Sequence, residues 1–325
     1  MNPPPDGLIL FHKPPGLTSF DALRGIKRIL GTGKVGHTGT LDKFAEGLLL
    51  VLTGRALKLS QWFTHCDKQY EGTVCFGAET DTLDPEGAVI ANAPLPSRKN
   101  VEQAVPRFLG RIEQSPPAYS AIHIDGERAS ALARRGEAPE MRKRPVTIYR
   151  LELLSWEPPH AKIFVHCSSG TYIRSLARDI ALAAGSRAHL TALIRTQVGG
   201  FRLGIGDWGL GTGERDLNYR GSTREQHHIP NNNSRSPIPD PQSPFPIHPI
   251  NKAVFNALNI PCLDIAPQDV VKAIQGKPLA QILRDTPLLS AEENTAAALF
   301  SDGKFIAMIE RQDNKWSYGY VYARD

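Results

Sequence analysis

The sequence has few of the features that mark secreted, metal-binding or membrane-spanning proteins. Its four cysteines, at positions 66, 75, 167 and 262, have neither the paired spacing of a zinc site nor that of a disulfide framework. No apolar run approaches the ~18 residues that a membrane helix needs, and the opening MNPPPDGLILFHKPPG lacks the layout of a signal peptide. We therefore expect a soluble, cytoplasmic protein without a metal site.

Length and composition indicate a globular protein with a modest basic excess. The 325 residues can bury a sizeable core and exceed the usual size of one domain. Hydrophobic residues make up 41% and charged residues 22%, which is normal for a soluble protein. The formal charge of +5 is compatible with a polyanionic partner.

Basic residues are concentrated between positions 127 and 150. They are Arg128, Arg134, Arg135, Arg142, Lys143, Arg144 and Arg150, against Glu127, Glu137 and Glu140. Such a stretch is either a solvated helix face or a surface that binds phosphates. The residues alone leave both interpretations open.

Hydrophobic periodicity predicts strands and helices without a regular βαβ rhythm. Apolar or alternating runs at 8–11, 48–52, 69–76, 146–156 and 163–167 indicate strands. Ser19 is expected to cap a helix that buries Leu23 and Ile26, and a second helix should run through Leu176 and Ile180. We predict an α/β or α+β domain with a mixed, largely antiparallel sheet flanked by helices.

The composition changes after residue 208. Residues 209–250 are dense in Pro, Asn and Ser and lack apolar periodicity, which predicts a linker or a surface excursion. Beyond them, a helix over 269–275 and strands over 296–300, 304–309 and 316–322 predict a small, mostly β domain. The expected domains are therefore 1–208 and 251–325, joined by 209–250.

The stretch GTGKVGHTGTLD, residues 31–42, contains the glycine pattern of dinucleotide-binding proteins. That pattern requires a preceding strand, a helix that begins inside the motif and an acidic residue roughly 20 positions later. Here a helix precedes Gly31, and no acidic residue lies near Gly54. A P-loop needs Lys and then Ser or Thr after the last glycine, whereas His37 and Thr38 follow it. We therefore reject a nucleotide cradle.

Asp42 ends this glycine-rich loop just before the apolar run 48–52. Glycine loops can lie close to a ligand, so an acid that a rigid scaffold holds there could be catalytic. An Asx turn, or a cap at the entry to the strand, would place an aspartate at the same position. For an isolated aspartate, the residues alone favour the turn or the cap over catalysis.

Five segments, in order, resemble the bacterial tRNA pseudouridine-55 synthases, the TruB family. They are GLILFHKPPGLTSFDAL, GHTGTLDKFAEGLLLVLTGRALKLSQ, DKQYEGTVCFGAETDTLDPEG, QSPPAYSAIHIDGERASALARRGE and CSSGTYIRSLARDIALAAGSRAHLTALIRTQVGGF. The resemblance implies a pseudouridine-synthase fold and the isomerisation of one uridine, at position 55 in the T-arm loop of tRNA, without cofactor or metal. The terminal module is similar to the small RNA-binding PUA domain. Because the implied groups lie in one domain, we expect a monomer.

The resemblance also implies roles for individual residues. It makes Asp42 the nucleophile and places Tyr70 and Arg174 beside it. It gives Leu193 to the apolar pocket, inserts His37 into the tRNA loop and brings Asp84 towards that loop. The expected substrate-binding residues are His37, Leu193, Asp84, Lys13, Lys58, Arg134 and Arg135.

These roles agree with elementary chemistry. A carboxylate must be ionised to attack; burial raises its pKa, and a guanidinium such as that of Arg174 opposes the rise. The target base must leave its stack, and stacking on an aromatic ring returns roughly 1–3 kcal/mol. Tyr70 can supply that ring, although a strand tyrosine can equally be a core residue.

Five positions depart from the family pattern. Lys43 stands for a usual proline, Glu46 for a small polar residue, and His123, Ser130 and Ile194 for Lys, Tyr and Arg. The departures concern RNA affinity and loop position and leave the chemistry intact. Two further interpretations stay open: a tRNA-binding folding helper with secondary or lost catalysis, and a synthase acting on another RNA uridine. Retention of both Asp42 and Arg174 favours the enzyme.

Overall fold

A computed structural model describes residues 6–137, 139–203, 246–283, 295–313 and 315–322. Most of the expected linker, 209–245, lies outside the described residues.

The described chain alternates between strands and short helices. The strands are β1 Gly7–Lys13, β2 Val35–His37, β3 Glu46–Thr53, β4 Lys68–Phe76, β5 Ala78–Thr80, β6 Val89–Asn92, β7 Gly110–Gln114, β8 His123–Ile124, β9 Glu127–Arg128, β10 Arg144–Glu157, β11 His160–Cys167, β12 Ala188–Val198, β13 Phe201–Arg202, β14 Cys262–Asp264, β15 Ala296–Ser301, β16 Lys304–Gln312 and β17 Lys315–Val321. The α-helices are α1 Ser19–Leu30, α2 Ser60–Thr64, α3 Arg98–Ala104, α4 Ala129–Arg134, α5 Ile173–Ala183, α6 Lys252–Ala257 and α7 Pro267–Ile274. Short 3₁₀ helices lie at Gly54–Leu59, Val105–Phe108 and Leu279–Gln281.

A nine-stranded sheet forms the centre of the molecule. Its main order is β1-β3-β12-β4-β11-β10-β7, with β2 paired to β3 and β13 paired to β12. Only the β12–β3 pair is parallel among these pairs. The prediction of a mixed, largely antiparallel sheet with flanking helices is therefore confirmed.

Strand β12 was not predicted from the sequence, although it lies between β3 and β4 at the middle of the sheet. Its pairing with β4 shifts register twice, between Leu190 and Ala192 and between Arg195 and Gln197. Each shift adds a residue that breaks the period-two alternation of a regular strand. The burial pattern of this segment is consequently irregular.

Helix α1 begins one residue away from the expected cap. Thr18 is the N-cap, and its hydroxyl oxygen accepts from the Asp21 amide at 3.1 Å. The prediction that Ser19 caps this helix is therefore wrong. Ser19 is buried instead, with its hydroxyl directed at the loop before β3. Leu23 and Ile26 are buried as predicted.

Helix α5 covers one face of the sheet and completes the largest core. Its residues Ile173, Leu176 and Ile180 pack with inward residues of β4 and β11. The first residues of α5 are thereby held against the sheet, next to the loop between β2 and β3. This arrangement positions the candidate site.

The terminal segment forms a second sheet, of order β14-β15-β16-β17. The predicted strands and the helix before them are present, whereas α6 and β14 were not predicted. Phe300 and Phe305 of this sheet share a core cluster with Leu8 and Leu50 of the central sheet. The small sheet thus packs directly on the large one.

None of the helices in the described ranges combines the length and the apolar character needed to cross a membrane.

Candidate active site

The loop between β2 and β3 carries Asp42, and hydrogen bonds hold this loop on both sides of that residue. The Ser19 hydroxyl accepts from the Leu41 amide at 2.9 Å and donates to the Leu41 carbonyl at 3.0 Å. The Lys43 carbonyl accepts from the Gly16 amide at 2.8 Å. Because buried backbone groups need such partners, these bonds hold the loop in one conformation.

Arg174, in the first turn of α5, connects this loop to two other segments. Its Nη2 donates to Asp42 Oδ1 at 3.1 Å, and its Nε lies 2.9 Å from Asp42 Oδ2. Its Nη1 donates to Asp84 Oδ2 at 3.1 Å and to the Thr82 carbonyl at 2.7 Å. Nη2 also donates to the Tyr119 carbonyl at 3.0 Å. Two carboxylates and two carbonyls therefore fix the guanidinium plane.

The charged groups differ in their access to solvent. The Arg174 side chain is 4% exposed and that of Asp84 is 8% exposed, whereas Asp42 is 36% exposed. Asp42 can therefore meet a ligand, with its partners behind it. Its carboxylate contacts a guanidinium instead of closing an Asx turn, which favours the functional interpretation of this residue.

Burial and the neighbouring guanidinium have opposite effects on the pKa of the Asp42 carboxyl. Burial raises the pKa of the Asp42 carboxyl, the Arg174 guanidinium opposes the rise, and nearby Asp84 adds to it. One guanidinium shared by two carboxylates cannot neutralise both. The site therefore holds a carboxylate whose ionised form is less stabilised than it would be in a simple ion pair.

Tyr70 on β4 and Leu193 on β12 form an apolar wall next to Asp42. Both are buried in one core cluster with Leu41. Leu193 stands opposite Gly72, two residues from Tyr70, so Tyr70 and Leu193 share a face of the sheet. Burial raises the pKa of Tyr70 to about 12, which leaves the phenol neutral at physiological pH.

His37 ends β2 at the start of the loop that carries Asp42. Its ring is half-buried, and among the described residues Nδ1 has no hydrogen-bond partner. Burial and the charge of Arg195 lower the pKa of His37. Because Nδ1 is buried as well as unused, the ring has to turn before this nitrogen can donate to or accept from a ligand.

Asp84, which was expected to approach the tRNA loop, is buried too deeply to contact RNA directly. It is buried, accepts from the Thr82 hydroxyl at 2.6 Å and from the Glu86 amide at 3.0 Å, and binds Arg174. These contacts give it the position of a support behind Arg174.

Lys13 is also placed differently from an exposed RNA-binding lysine. It is fully buried, and its Nζ donates to the carbonyls of Pro14 at 2.9 Å, Leu17 at 2.7 Å and Lys43 at 3.4 Å. Burial lowers the pKa of Lys13 to about 8. Lys13 thus links the turn after β1 to the Asp42 loop.

The other basic residues that we expect to bind RNA lie at the surface. Lys58 is exposed on the 3₁₀ helix after β3. Arg134 is exposed at the end of α4 and makes no ion pair within the described chain. Arg135 is exposed too, but Glu127 and Glu137 occupy its guanidinium.

Sequence reasoning missed one residue that reaches the site. Arg195 on β12 is buried and donates to the Gly39 carbonyl at 3.0 Å, in the segment that leads to Asp42. Its neighbours in the sequence do not alternate regularly, so no strand was predicted there. A charged residue inside the apolar segment HLTALIRTQV was the available signal.

Two departures from the family pattern change the charge around Asp42. Lys43 Nζ lies 2.7 Å from Glu86 Oε1, and Glu46 Oε2 lies 4.0 Å from His12 Nε2. The other departures are His123, exposed in β8, Ser130 in α4 and Ile194, opposite Glu46 in β12. Over the described ranges, no three or more His, Cys, Asp or Glu side chains cluster as a metal site would require.

Comparison with solved structures supports the fold. The structure of a Cbf5-Nop10-Gar1 complex aligns with a TM-score of 0.63 at 23% identity, over 97% of this chain and 82% of that chain. An archaeal box H/ACA sRNP Nop10-Cbf5 complex aligns with a TM-score of 0.62 at 20% identity, over 97% and 86%. These likenesses concern the fold alone.

Comparison of sequences identifies the family. Residues 27–173 match the N-terminal domain of the TruB family of pseudouridylate synthases. The tRNA pseudouridine synthase B of Treponema denticola is 46% identical over 216 residues, which are 60% of this chain and 60% of that relative. The tRNA pseudouridine synthase B of Bordetella avium is 50% identical over 204 residues, which are 62% of this chain and 84% of that relative. The chain belongs to the TruB family of pseudouridylate synthases.

Proposed function

We propose that this protein isomerises a uridine of tRNA to pseudouridine, at position 55 in the T-arm loop, with Asp42 as the nucleophile. The observation that carries the proposal is the accessible Asp42 carboxylate, held 3.1 Å from a buried Arg174 beside the apolar wall of Tyr70 and Leu193. Asp42, Tyr70, Arg174 and Leu193 all lie in segments of the chain that resemble the family.

The reaction is an isomerisation and needs no change of oxidation state. The bond between the ribose C1′ and N1 of uracil breaks, a bond forms between C1′ and C5, the proton on C5 leaves and N1 takes up a proton, so that substrate and product have the same atoms. Asp42 adds either to C1′, displacing N1 and leaving again as C5 bonds to C1′, or to the base ring, in which case its bond to the ring breaks after the carbon–carbon bond has formed. The target nucleotide must be flipped out of its loop to reach the carboxylate.

Arg174 and Tyr70 have distinct roles in this proposal. Arg174 keeps Asp42 ionised and fixes its direction, because the guanidinium is itself held from behind by Asp84. Tyr70 and Leu193 bind the flipped base against the apolar wall. His37 enters the space that the base leaves in the tRNA loop.

Affinity comes mainly from the basic surface and the terminal sheet. Lys58 and Arg134 are the exposed cations proposed to contact phosphates, with Arg135 after release from its carboxylates. Asp84 and Lys13 act from within the protein, through Arg174 and the Asp42 loop. The terminal β module serves as a PUA-like RNA-binding domain, and one chain acts alone in the cytoplasm.

The test is incubation with unmodified tRNA, followed by mapping of pseudouridine. The wild-type protein should form pseudouridine at position 55 of the T-arm loop, and Asp42→Asn should form at least ~10³-fold less because it lacks the nucleophile. Glu46→Gln is the matched control, since it removes a carboxylate from the same segment and should keep most of the activity. Both variants should bind tRNA.

Three outcomes would contradict the proposal. Product from Asp42→Asn at an undiminished rate would remove the nucleophile. Product at another position would change the substrate. Tight tRNA binding by the wild-type protein with no pseudouridine in any tRNA would instead favour the folding helper.

A further inference from the structure

Arg195 lies where the two halves of the candidate site meet. In the central strand β12 it stands opposite Gly47 of β3 on one side and Tyr70 of β4 on the other. Its side chain is only 2% exposed, so it cannot reach an RNA phosphate. From this position it can contact both the Asp42 loop and Tyr70.

Its guanidinium ties together the two ends of the Asp42 loop. Nη2 donates to the Gly39 carbonyl at 3.0 Å and Nη1 to the Thr40 carbonyl at 3.4 Å, both just before Asp42. Nε donates to the Leu48 carbonyl at 2.7 Å, after the loop has entered β3. Because the guanidinium is planar and its donors have fixed directions, these bonds set the distance between the two ends of the loop.

Arg195 carries its charge without a carboxylate partner within the described part of the chain. The charged or titratable groups around it are Lys13, Lys68 and His37, whose pKa values its charge lowers. Burying a charge without a counter-ion destabilises a protein. The three carbonyls at the ends of the Asp42 loop offset part of that cost, and the positive charge of the guanidinium still acts on the titratable groups around it.

The group on which this charge acts is the Tyr70 phenol. The guanidinium interacts with the Tyr70 side chain and opposes the rise of its pKa that burial causes. The other titratable groups that face Tyr70 are Cys167 of β11 and Asp42. Both of them raise the pKa of Tyr70, as burial does. Arg195 is therefore the cation that faces this phenol.

We propose that Arg195 is a positioning residue for the isomerisation, which holds the Asp42 loop and the Tyr70 hydroxyl in one fixed arrangement around the flipped base. The inference rests on the proposed function. It places the effect of Arg195 on the chemical step and not on RNA affinity, because Arg195 is buried behind both groups.

The test compares Arg195→Lys, Arg195→Gln and a matched control, Lys68→Met. Lys68 is also a buried cation and its side chain passes close to Gly39, but its Nζ donates to the carbonyls of Thr64 at 3.0 Å and Cys66 at 2.5 Å and not to the carbonyls that Arg195 bridges. The measurements are the dissociation constant for unmodified tRNA, the single-turnover rate at saturating enzyme and the melting temperature.

Arg195→Lys keeps a buried cation but cannot bridge three carbonyls. We expect its single-turnover rate to fall by roughly 100-fold, as a shift of about 1 Å in a reacting group can produce, with tRNA affinity within about threefold of wild type. Lys68→Met should lower the melting temperature at least as much and keep most of the rate. Near-wild-type turnover in Arg195→Lys, or an equal rate loss in Lys68→Met, would overturn the proposal.

A second measurement does not depend on activity. A fluorinated tyrosine placed at position 70 has a lower intrinsic pKa, so its ionisation can be followed by absorbance in the folded protein. Its pKa should rise in Arg195→Gln and change little in Arg195→Lys or Lys68→Met; an unchanged value in Arg195→Gln would contradict the contact with Tyr70. If the wild-type protein forms no pseudouridine, the proposed function fails, while this titration still reports on Arg195.

Discussion

At the scale of single residues, the site depends on one guanidinium that serves two carboxylates. Arg174 is buried and bound by Asp84 and two backbone carbonyls, so it has no freedom to follow Asp42 if that residue moves. Asp42 is the more exposed of the two acids. Asp84 therefore holds Arg174 from inside the protein, and Asp42 is the acid of the two that a ligand can reach.

The pH dependence of activity should report the charge of Arg174. Burial raises the pKa of Asp42 and Arg174 limits the rise; only the ionised carboxylate attacks, so activity is lost as the pH falls through that raised pKa. Replacing Arg174 with Gln removes the opposing charge, and the acid limb should move to higher pH, in addition to a lower rate. Single-turnover rates measured across the acid range check this.

The control for that shift is Arg187→Gln. Arg187 pairs with Glu79 at 2.7 Å, outside the site. Its removal takes away one guanidinium but should leave the acid limb in place. An identical acid limb for wild type and Arg174→Gln would show that Asp42 is not the titrating group.

Residue types were easier to predict than residue depth. The pairing of Asp42 with Arg174 follows from two segments that resemble the family, and the structure brings them together. Nothing in the sequence shows that Lys13 is buried, because lysines are usually exposed and the three carbonyls that accept from it come from a turn and a loop. Depth depends on packing between distant segments.

At the scale of elements, regular strands were predictable and the bulged strand was not. β4 alternates between buried and more accessible positions and was predicted nearly to its ends. β12 contains two register shifts against β4, so Leu190, Leu193 and Arg195 are buried at uneven spacing. The central strand of the sheet therefore carries the weakest pattern, and Arg195 went unassigned for that reason.

The parallel contact between β3 and β12 should be sensitive to a single methyl group. Gly47 has φ of +111°, and a Cβ there would lie 2.4 Å from the carbonyl oxygen of Arg195. Gly47→Ala should therefore lower the free energy of unfolding by about 3 kcal/mol, from backbone strain and displacement of β12. Urea denaturation measures the change.

The Gly110→Ala variant distinguishes the cost of backbone strain from the cost of a steric clash. Gly110 also has positive φ, at +82°, but a Cβ there meets nothing within 4 Å. This variant should lose only the ~1–2 kcal/mol that the left-handed conformation costs. If both substitutions lower the free energy of unfolding equally, the β3–β12 pair accommodates the added methyl group. The close approach of Gly47 to Arg195 would then add nothing to the cost of backbone strain.

At the scale of the whole molecule, the cations divide into a buried set and an exposed set. Lys13, Lys68 and Arg195 are buried and bind backbone carbonyls. They hold loops and cannot meet RNA without unfolding. The net charge of +5 therefore includes cations that RNA cannot reach. The exposed basic residues that lack acidic partners are the main candidates for phosphate contacts.

The salt dependence of tRNA binding should distinguish available cations from paired ones. Arg134 is exposed and makes no ion pair in the described ranges, so Arg134→Ala should reduce the slope of log affinity against log salt by about 0.7–0.9 if one phosphate contact is lost. Arg98 is also exposed but pairs with Glu102 at 2.7 Å on α3, so Arg98→Ala should leave the slope unchanged. Single-turnover rates at saturating enzyme should stay near wild type in both variants, because neither residue touches the Asp42 site. If both variants change the slope equally, the contacts with RNA are diffuse, and the basic stretch around residue 134 is a solvated face rather than a binding surface.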